Sequence, residues 1–99
     1  MDDLLLSKIR LGVIAELLTA EWITFPALVK ALGTTNGNLG AHLSKLIESG
    51  YVHEEKIFVD RKPQTRYRLA DRGRTAFVKH VSEMQSLLKA AQSPSTASS

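Results

Sequence analysis

Cysteine is absent from this chain of 99 residues. Its absence excludes disulfide bonds, thiolate metal ligands and a cysteine nucleophile. No apolar run approaches the roughly 20 residues that a membrane span needs. The opening residues Met1-Asp2-Asp3 are acidic where a secretory signal peptide would be basic. We therefore expect a cytoplasmic protein with one compact core, because a chain of this length suffices for a single domain.

Signatures of catalysis are also scarce. The three histidines, His42, His53 and His80, fall in separate predicted elements, and no HExxH or GxSxG pattern occurs. Three closely spaced glycines do not follow a predicted strand, so they do not form a dinucleotide-binding fingerprint: Gly33, Gly37 and Gly40. We therefore expect no enzyme activity, no cofactor and no metal site.

Positive charge is unevenly distributed along the chain. The net charge is +3, with −1 in residues 1–33 and +2 in each of residues 34–68 and 69–99. Local clusters of positive charge, rather than the total, attract nucleic acid. The middle segment is therefore the first place to look for such an interaction.

Apolar residues at three- and four-residue intervals predict two helices in residues 1–33. The first helix spans residues 4–20. The second has Thr24 as a suitable N-cap and Pro26 in its first turn. It continues to about Leu32, where Gly33 ends it. Its predicted buried residues are Phe25, Leu28, Val29 and Leu32.

A third helix follows after a short turn. Thr34 or Thr35 caps it, and it continues to about Ser49, where Gly50 closes it. Its apolar residues share one face: Leu39, Leu43, Leu46 and Ile47. The 100° step between residues places small or hydrogen-bonding residues on the opposite face: Thr34, Gly37, Asn38, Ala41, Ser44 and Lys45.

The second half of the chain predicts a hairpin and a long helix. Residues 51–59 are rich in β-branched and aromatic residues, and residues 65–69 alternate polar with apolar, so both segments predict strands. Residues 60–64 are polar and contain proline, which indicates a turn or an extended loop. The last helix spans about residues 71–92, and residues 93–99 form a disordered tail. Residues 1–92 are then one domain.

Two helices joined by a tight Gly33-Thr34 turn are typical of a helix-turn-helix, and the following hairpin would be its wing. The fold class is therefore mainly α with a small β-hairpin, in the order α-α-α-β-β-α. Here the sequence resembles the MarR/ArsR-like winged-helix transcriptional regulators, in particular a small group of about a hundred residues. The resemblance covers roughly residues 10–80 and rests on Phe25-Pro-Ala-Leu28, Leu32-Gly33, Thr35-Asn-Gly-Asn-Leu39, His42-Leu43, Leu46-Ile-Glu-Ser-Gly50-Tyr-Val52, Lys56-Ile-Phe58, Pro63-Gln-Thr65-Arg-Tyr67-Arg-Leu69 and Arg72-Gly-Arg74.

The resemblance implies that the third helix enters the DNA major groove of a specific double-stranded site. Asparagine can bond adenine through two hydrogen bonds, and threonine and serine suit bases or phosphates. The resemblance also implies a place for His42 near the DNA backbone, whereas Gly40 departs from the serine common in the family. Two alternatives stay open: a capping turn on a solvated face, and a partly buried His42 bonded to its own helix. The predicted DNA-binding residues of this helix are Thr34, Thr35, Asn36, Asn38, Ala41, His42, Ser44 and Lys45.

Three cations surround Pro63 at the tip of the predicted wing: Arg61, Lys62 and Arg66. Such side chains on an extended loop can contact a minor groove or adjacent phosphates. The alternative is a solvated hairpin whose charges prevent edge pairing.

A heptad-like seam in the last helix predicts a homodimer. This helix and the apolar start of the first helix would pair across a two-fold axis, as the resemblance also implies. The alternative is that the last helix folds back on its own core. The predicted interface is Leu5, Ile9, Phe77, Val81, Met84, Leu88 and Ala91.

The sequence leaves other functions of a winged helix open. A winged helix can also be a protein–protein adaptor without DNA binding, because fold does not fix function. Families of this kind often respond to small ligands, so a small-molecule effector is left open. Trp22 either fills the core or lines a ligand pocket, and the sequence favours the core.

Overall fold

The computed structural model describes residues 1–93, and residues 94–99 of the predicted tail lie outside the described residues. The predicted order of three helices, a hairpin and a long helix is confirmed, with one short strand added. A 3-10 turn, Asp3–Leu6, precedes the first helix. The remaining elements are α1 Lys8–Leu17, β1 Ile23–Thr24, α2 Phe25–Leu32, α3 Asn36–Glu48, β2 Val52–Val59, β3 Lys62–Leu69 and α4 Asp71–Ala91.

The predicted first helix over residues 4–20 is wrong at both ends. Ser7 is extended, and its hydroxyl accepts a hydrogen bond from the Arg10 backbone N–H at 3.2 Å, so α1 begins after it. The Asp2 carboxylate caps the preceding 3-10 turn through the Leu4 N–H at 2.9 Å. These two local caps separate the segments, and the helix ends at Leu17 rather than at residue 20.

The second and third helices begin and end close to the predicted residues. The Thr24 hydroxyl caps α2 by accepting from the Ala27 N–H at 3.3 Å, and Gly33 ends it with a φ of +60°. Of the two candidate caps for α3, Thr35 is the one used, with its hydroxyl 3.1 Å from the Asn38 nitrogen. Gly50, with a φ of +77°, follows the helix as predicted.

The sheet is antiparallel in the order β1-β3-β2. Its hairpin pairs Val52 with Leu69 through to Val59 with Lys62. The turn is therefore only Asp60-Arg61, and the predicted loop over residues 60–64 is too long. Both turn residues have positive φ, 50° and 66°, as in the type I′ turns that match the twist of a tight hairpin.

Residues 62–64 belong to β3 even though Pro63 is among them. Strand β1 pairs with β3 at Arg66 and Tyr67, so among the residues that the structure describes one edge of β3 is unpaired at Pro63. Proline is tolerated at such an unpaired edge because its missing N–H deprives no partner. The two-residue β1 was not predicted, since a strand that short carries no alternation.

The core lies between the first three helices and the inner face of the sheet. Leu28 is fully buried as predicted, whereas its three predicted companions in α2 are partly buried against the core. Trp22 is half-buried and lies outside the core cluster, so the prediction that it fills the core is wrong. The buried cluster consists of Leu5, Val13, Ile14, Leu17, Leu28, Leu39, Leu43, Leu46, Val52 and Tyr67.

Helix α4 is joined to the core at its N-terminal end. A Cβ atom on Gly73 would lie 2.3 Å from the Tyr51 carbonyl oxygen, so only glycine permits this approach. The last third of the helix is exposed. The radius of gyration is accordingly 16.6 Å, against about 13 Å for a compact chain of this length. No helix within residues 1–93 is long and apolar enough to cross a membrane.

Candidate nucleic-acid interface

The predicted division of α3 into two faces is present in the structure. Leu39, Leu43 and Leu46 are at most 2% exposed and face the core. Thr34 and His42 are half-buried at the edge of the opposite face. The other predicted residues on that face are exposed: Thr35, Asn36, Asn38, Ala41, Ser44 and Lys45.

The first turn of α3 is held by two threonines. The Asn38 backbone N–H donates to the Thr35 hydroxyl, and the Asn38 side-chain amide donates to the Thr34 hydroxyl at 2.7 Å. The capping turn considered as an alternative is therefore present. It leaves the Asn36 side chain exposed, with no hydrogen bond among residues 1–93, and the Asn38 side-chain oxygen also has no partner there. The capping hydrogen bonds therefore do not exclude contacts of the same turn with DNA.

His42 is bonded to another helix, and not to its own. Its Nδ1 lies 2.9 Å from Nη1 of Arg10 in α1. Burial lowers the pKa of His42 below its ordinary value, and the positive charges of Arg10 and Lys45 lower it further. Sequence reasoning missed Arg10 because it lies 32 residues away from His42 and no local pattern joins the two.

The three predicted wing cations divide into two groups. Arg61 and Lys62 are exposed at the tip of the hairpin. Arg66 lies farther back, where the sheet register places it opposite Glu55, and its Nε donates to that carboxylate at 2.7 Å. Its guanidinium also stacks 4.2 Å from the centre of the Trp22 ring. The prediction that Arg66 lies at the tip beside Pro63 is therefore wrong.

Apolar side chains accompany the cations at the tip. Phe58 is 78% exposed and Val59 is 42% exposed. The register pairs Phe58 with Pro63 across the hairpin. The sequence predicts a strand here but does not single out Phe58. The distance by which the β2–β3 hairpin extends beyond the core depends on the tertiary structure.

A sequence profile described as a winged helix DNA-binding domain matches residues 9–88. The chain belongs to this family. The resemblance to small winged-helix regulators is thereby confirmed. The matched region includes α3, the whole hairpin and most of α4, so it contains both the outer face of α3 and the tip of the wing.

The chain is also similar to a curated protein and to solved structures. The chain is 34% identical over 83 residues to the uncharacterized protein MJ0432 of Methanocaldococcus jannaschii, covering 84% of this chain and 90% of that one. It is similar to the structure of a transcriptional regulator homologue from Pyrococcus horikoshii, with a TM-score of 0.83, 28% identity and coverage of 89% and 87%. A MarR-family regulator structure from Enterococcus faecalis has the same fold, with a TM-score of 0.72, 23% identity and coverage of 95% and 84%.

The predicted dimer surface of this winged-helix protein is only partly accessible. Leu5 is 1% exposed in its own core, so its assignment to an interface is wrong. The break at Ser7 turns Leu5 inward. Ile9, Phe77 and Val81 are half-buried, and Ile9 and Phe77 pack against the core. Met84 (48%), Leu88 (57%) and Ala91 are exposed, and so is Leu6 in the apolar segment predicted to pair with them. Two further exposed apolar residues of α4 were not in the predicted seam, Val78 and Leu87.

A cavity of about 480 Å³ lies between the N-terminal segment and α4. His80 lines it and is 3% exposed, and its Nδ1 has no hydrogen-bond partner among residues 1–93. No group of three or more histidine, aspartate or glutamate side chains in the described residues is arranged to hold a metal ion. Polar and apolar side chains both line the cavity.

Proposed function

We propose that this winged-helix protein binds double-stranded DNA sequence-specifically as a dimeric transcriptional regulator. In this proposal α3 enters the major groove, and the wing contacts the minor groove or the backbone. The observation that carries the proposal is the exposed face of α3, because it combines small side chains with hydrogen-bonding ones. Residues 34–47 contain no acidic side chain, so nothing on this stretch of the helix repels phosphate.

The size of the side chains supports close approach. Gly37 and Ala41 allow the helix backbone to come near the base edges, while Asn36 and Asn38 offer both donors and acceptors to them. The N-terminal end of the helix also presents backbone N–H groups that favour a phosphate. Lys45 adds a cation one turn beyond Ala41.

The wing supplies the second contact. Arg61 and Lys62 lie side by side at the tip, and no described acidic side chain pairs with them. Phe58 lies on the neighbouring strand, and proteins that bind the minor groove commonly combine cations with an apolar side chain of this kind. We leave Arg66 out of the site, because its charge is already paired with Glu55.

The adaptor alternative is less well supported. A protein-binding α3 would carry exposed apolar side chains on its outer face. Among residues 1–93 the exposed large apolar residues lie in the N-terminal segment, directly after α1, at the wing tip and in α4, and none lies in α3.

The dimer is proposed from the second half of α4. This half extends away from the core with Met84, Leu87 and Leu88 exposed. Apolar surface of this kind is covered most simply by the same helix of a second copy, since two-fold dimers use one patch twice. Two recognition helices would then lie about 34 Å apart, one turn of DNA.

Selection of bound fragments from random DNA, followed by titration of the selected duplex against a scrambled one, tests DNA recognition. We expect at least a thousandfold preference and a Kd that rises steeply with salt. Asn38→Ala should weaken binding to the selected duplex and so reduce the preference, whereas its affinity for the scrambled duplex should change little. Equal binding of both duplexes would refute sequence-specific recognition.

Sedimentation tests the dimer independently. The native chain should sediment as a dimer at micromolar concentration, and Leu87→Glu should shift it to monomer. Lys89→Glu is the matched control, because it changes an exposed residue of the same helix outside the apolar set. A monomeric native chain would refute the dimer while leaving DNA binding to be judged by titration.

A further inference from the structure

Arg10 is an α1 residue that joins three parts of the molecule. Its Nη1 contacts His42 Nδ1 in α3 at 2.9 Å, and its Nε donates to the Leu4 carbonyl oxygen at 2.6 Å. Leu4 belongs to the 3-10 turn, whose next residue, Leu5, is buried in the core. The Leu4 carbonyl therefore holds the guanidinium on one side while it contacts His42 of α3 on the other.

We propose that Arg10 is a positioning residue for DNA recognition, which fixes the His42 imidazole with its proton on Nε2 and available to a DNA phosphate. The phosphate contact rests on the proposed function. The fixed position of the proton does not, because it follows from contacts within the protein.

The argument begins with the chemistry of the two groups. A guanidinium donates hydrogen bonds and cannot accept one. Where Arg10 Nη1 is the donor, His42 Nδ1 must accept, so it carries no proton. A neutral imidazole then has its proton on Nε2. Among residues 1–93, Nε2 has no hydrogen-bond partner, and it is not among the buried polar atoms without one.

Charge favours the same state. Protonation of Nδ1 would place a donor against the Arg10 guanidinium and add a positive charge next to it. Two charged groups act on His42, Arg10 from α1 and Lys45 from its own helix, and both oppose protonation, as does burial. The neutral imidazole is therefore favoured, and it can donate only from Nε2 while the bond to Arg10 holds.

The second bond of Arg10 explains why arginine is needed. A lysine ammonium could donate to the Leu4 carbonyl or to His42. Its single nitrogen cannot replace the two guanidinium nitrogens, Nε and Nη1, that contact both groups at once. The Leu4 carbonyl is held in turn by the buried Leu5 and by the Asp2 cap on the Leu4 N–H. Arg10 thus transmits the fixed position of the N-terminal segment to the outer face of α3.

The test combines spectroscopy on the DNA-free protein with binding to the selected duplex. Four variants are compared with the native chain: Arg10→Gln, Arg10→Lys, His42→Ala and the double variant Arg10→Gln with His42→Ala. Lys8→Gln is the matched control, because it removes one cation from an exposed position of the same helix. Circular dichroism establishes that each variant is folded, and Arg10→Lys keeps the charge should Arg10→Gln fail to fold.

Long-range ¹H–¹⁵N spectra should show His42 of the native chain with a protonated Nε2 and an unprotonated Nδ1 at neutral pH. Arg10→Gln should give a mixture of both tautomers, and Lys8→Gln should not. Arg10→Gln should also weaken DNA binding about tenfold more than Lys8→Gln does. Relative to His42→Ala alone, the double variant should lose no more affinity than Lys8→Gln loses relative to the native chain, since both changes remove one interaction and only the loss of a cation is added.

Three results would overturn the proposal: a proton on Nδ1 in the native chain, equal losses of affinity in Arg10→Gln and Lys8→Gln, or additive losses in the double variant. Failure of the native chain to bind any selected duplex would overturn the proposed function and the phosphate contact with it. The tautomer measured without DNA would still distinguish that outcome from a wrong assignment of the Arg10 contact.

Discussion

Replacement of Gly73 by alanine tests the contact that joins α4 to the rest of the molecule. In an open helix this change would stabilise the protein by about 1 kcal/mol, because alanine is the better helix former. Here the new Cβ would lie 2.3 Å from the Tyr51 carbonyl oxygen and 2.8 Å from Leu69 Cδ1. The closest atom belongs to the backbone, so a rotamer change cannot remove the overlap.

The cost has two parts. Overpacking of a close contact costs about 1–3 kcal/mol. The same Tyr51 oxygen accepts the Ala70 N–H at 3.0 Å, and disturbing that hydrogen bond costs about 1 kcal/mol more. After the gain in helix propensity, Gly73→Ala should lower the free energy of unfolding by about 1–3 kcal/mol. Its midpoint of thermal unfolding should fall by about 4 °C or more.

Gly40→Ala is the matched control, because a Cβ there meets nothing within 4 Å. Urea denaturation at one fixed protein concentration compares both variants with the native chain, since the stability of the proposed dimer would depend on concentration. Gly40→Ala should raise the free energy of unfolding by about 1 kcal/mol. If Gly73→Ala stabilises the protein as Gly40→Ala does, the close approach of α4 to Tyr51 is refuted.

The remaining predictions concern the wing, a buried imidazole and pH. Replacing both Arg61 and Lys62 by alanine should weaken DNA binding and lower the slope of log Kd against log salt by about 2. Arg66→Ala should leave that slope unchanged. If the double variant and Arg66→Ala have the same slope, the tip is not part of the DNA-binding site. His80→Leu should keep or raise the free energy of unfolding, because it removes a buried nitrogen without a described partner, and a clear loss would mean that the imidazole is satisfied. The pKa of His42 is lowered in the folded chain, so the unfolded chain binds more protons as pH falls through the unfolded value of 6.5. Acidification through this window should therefore lower the stability of the native chain more than that of the His42→Ala variant. Urea midpoints of both proteins, measured above and below pH 6.5, test this expectation. Equal losses in the two proteins would contradict the lowered pKa.

Much of the helical framework could be predicted because its signals are local. Thr24, Gly33 and Gly50 act on backbone groups within one turn, so their roles are the same in the sequence and in the structure. The first helix was placed wrongly at its start because its apolar spacing continues across Ser7. A single hydroxyl that caps the Arg10 N–H ends that continuity, and periodicity cannot detect it.

The candidate site divides in the same way. The outer face of α3 was predicted because a helix fixes the direction of each side chain relative to its neighbours. The contact of His42 with Arg10 was not predicted, nor was that of Arg66 with Glu55 and Trp22, because each joins distant parts of the chain. Such pairs depend on how helices and strands pack, which no spacing along the chain expresses.

Taken alone, the sequence determined the order of the helices and strands and the polar outer face of α3. Both follow from the 3.6-residue and two-residue repeats of the backbone. Only the tertiary structure decided that Leu5 is a core residue, that Arg66 is paired away from the tip, and that Arg10 contacts α3. The physical reason is that hydrogen bonds, ion pairs and burial depend on distances in space, which are fixed only when the elements pack together.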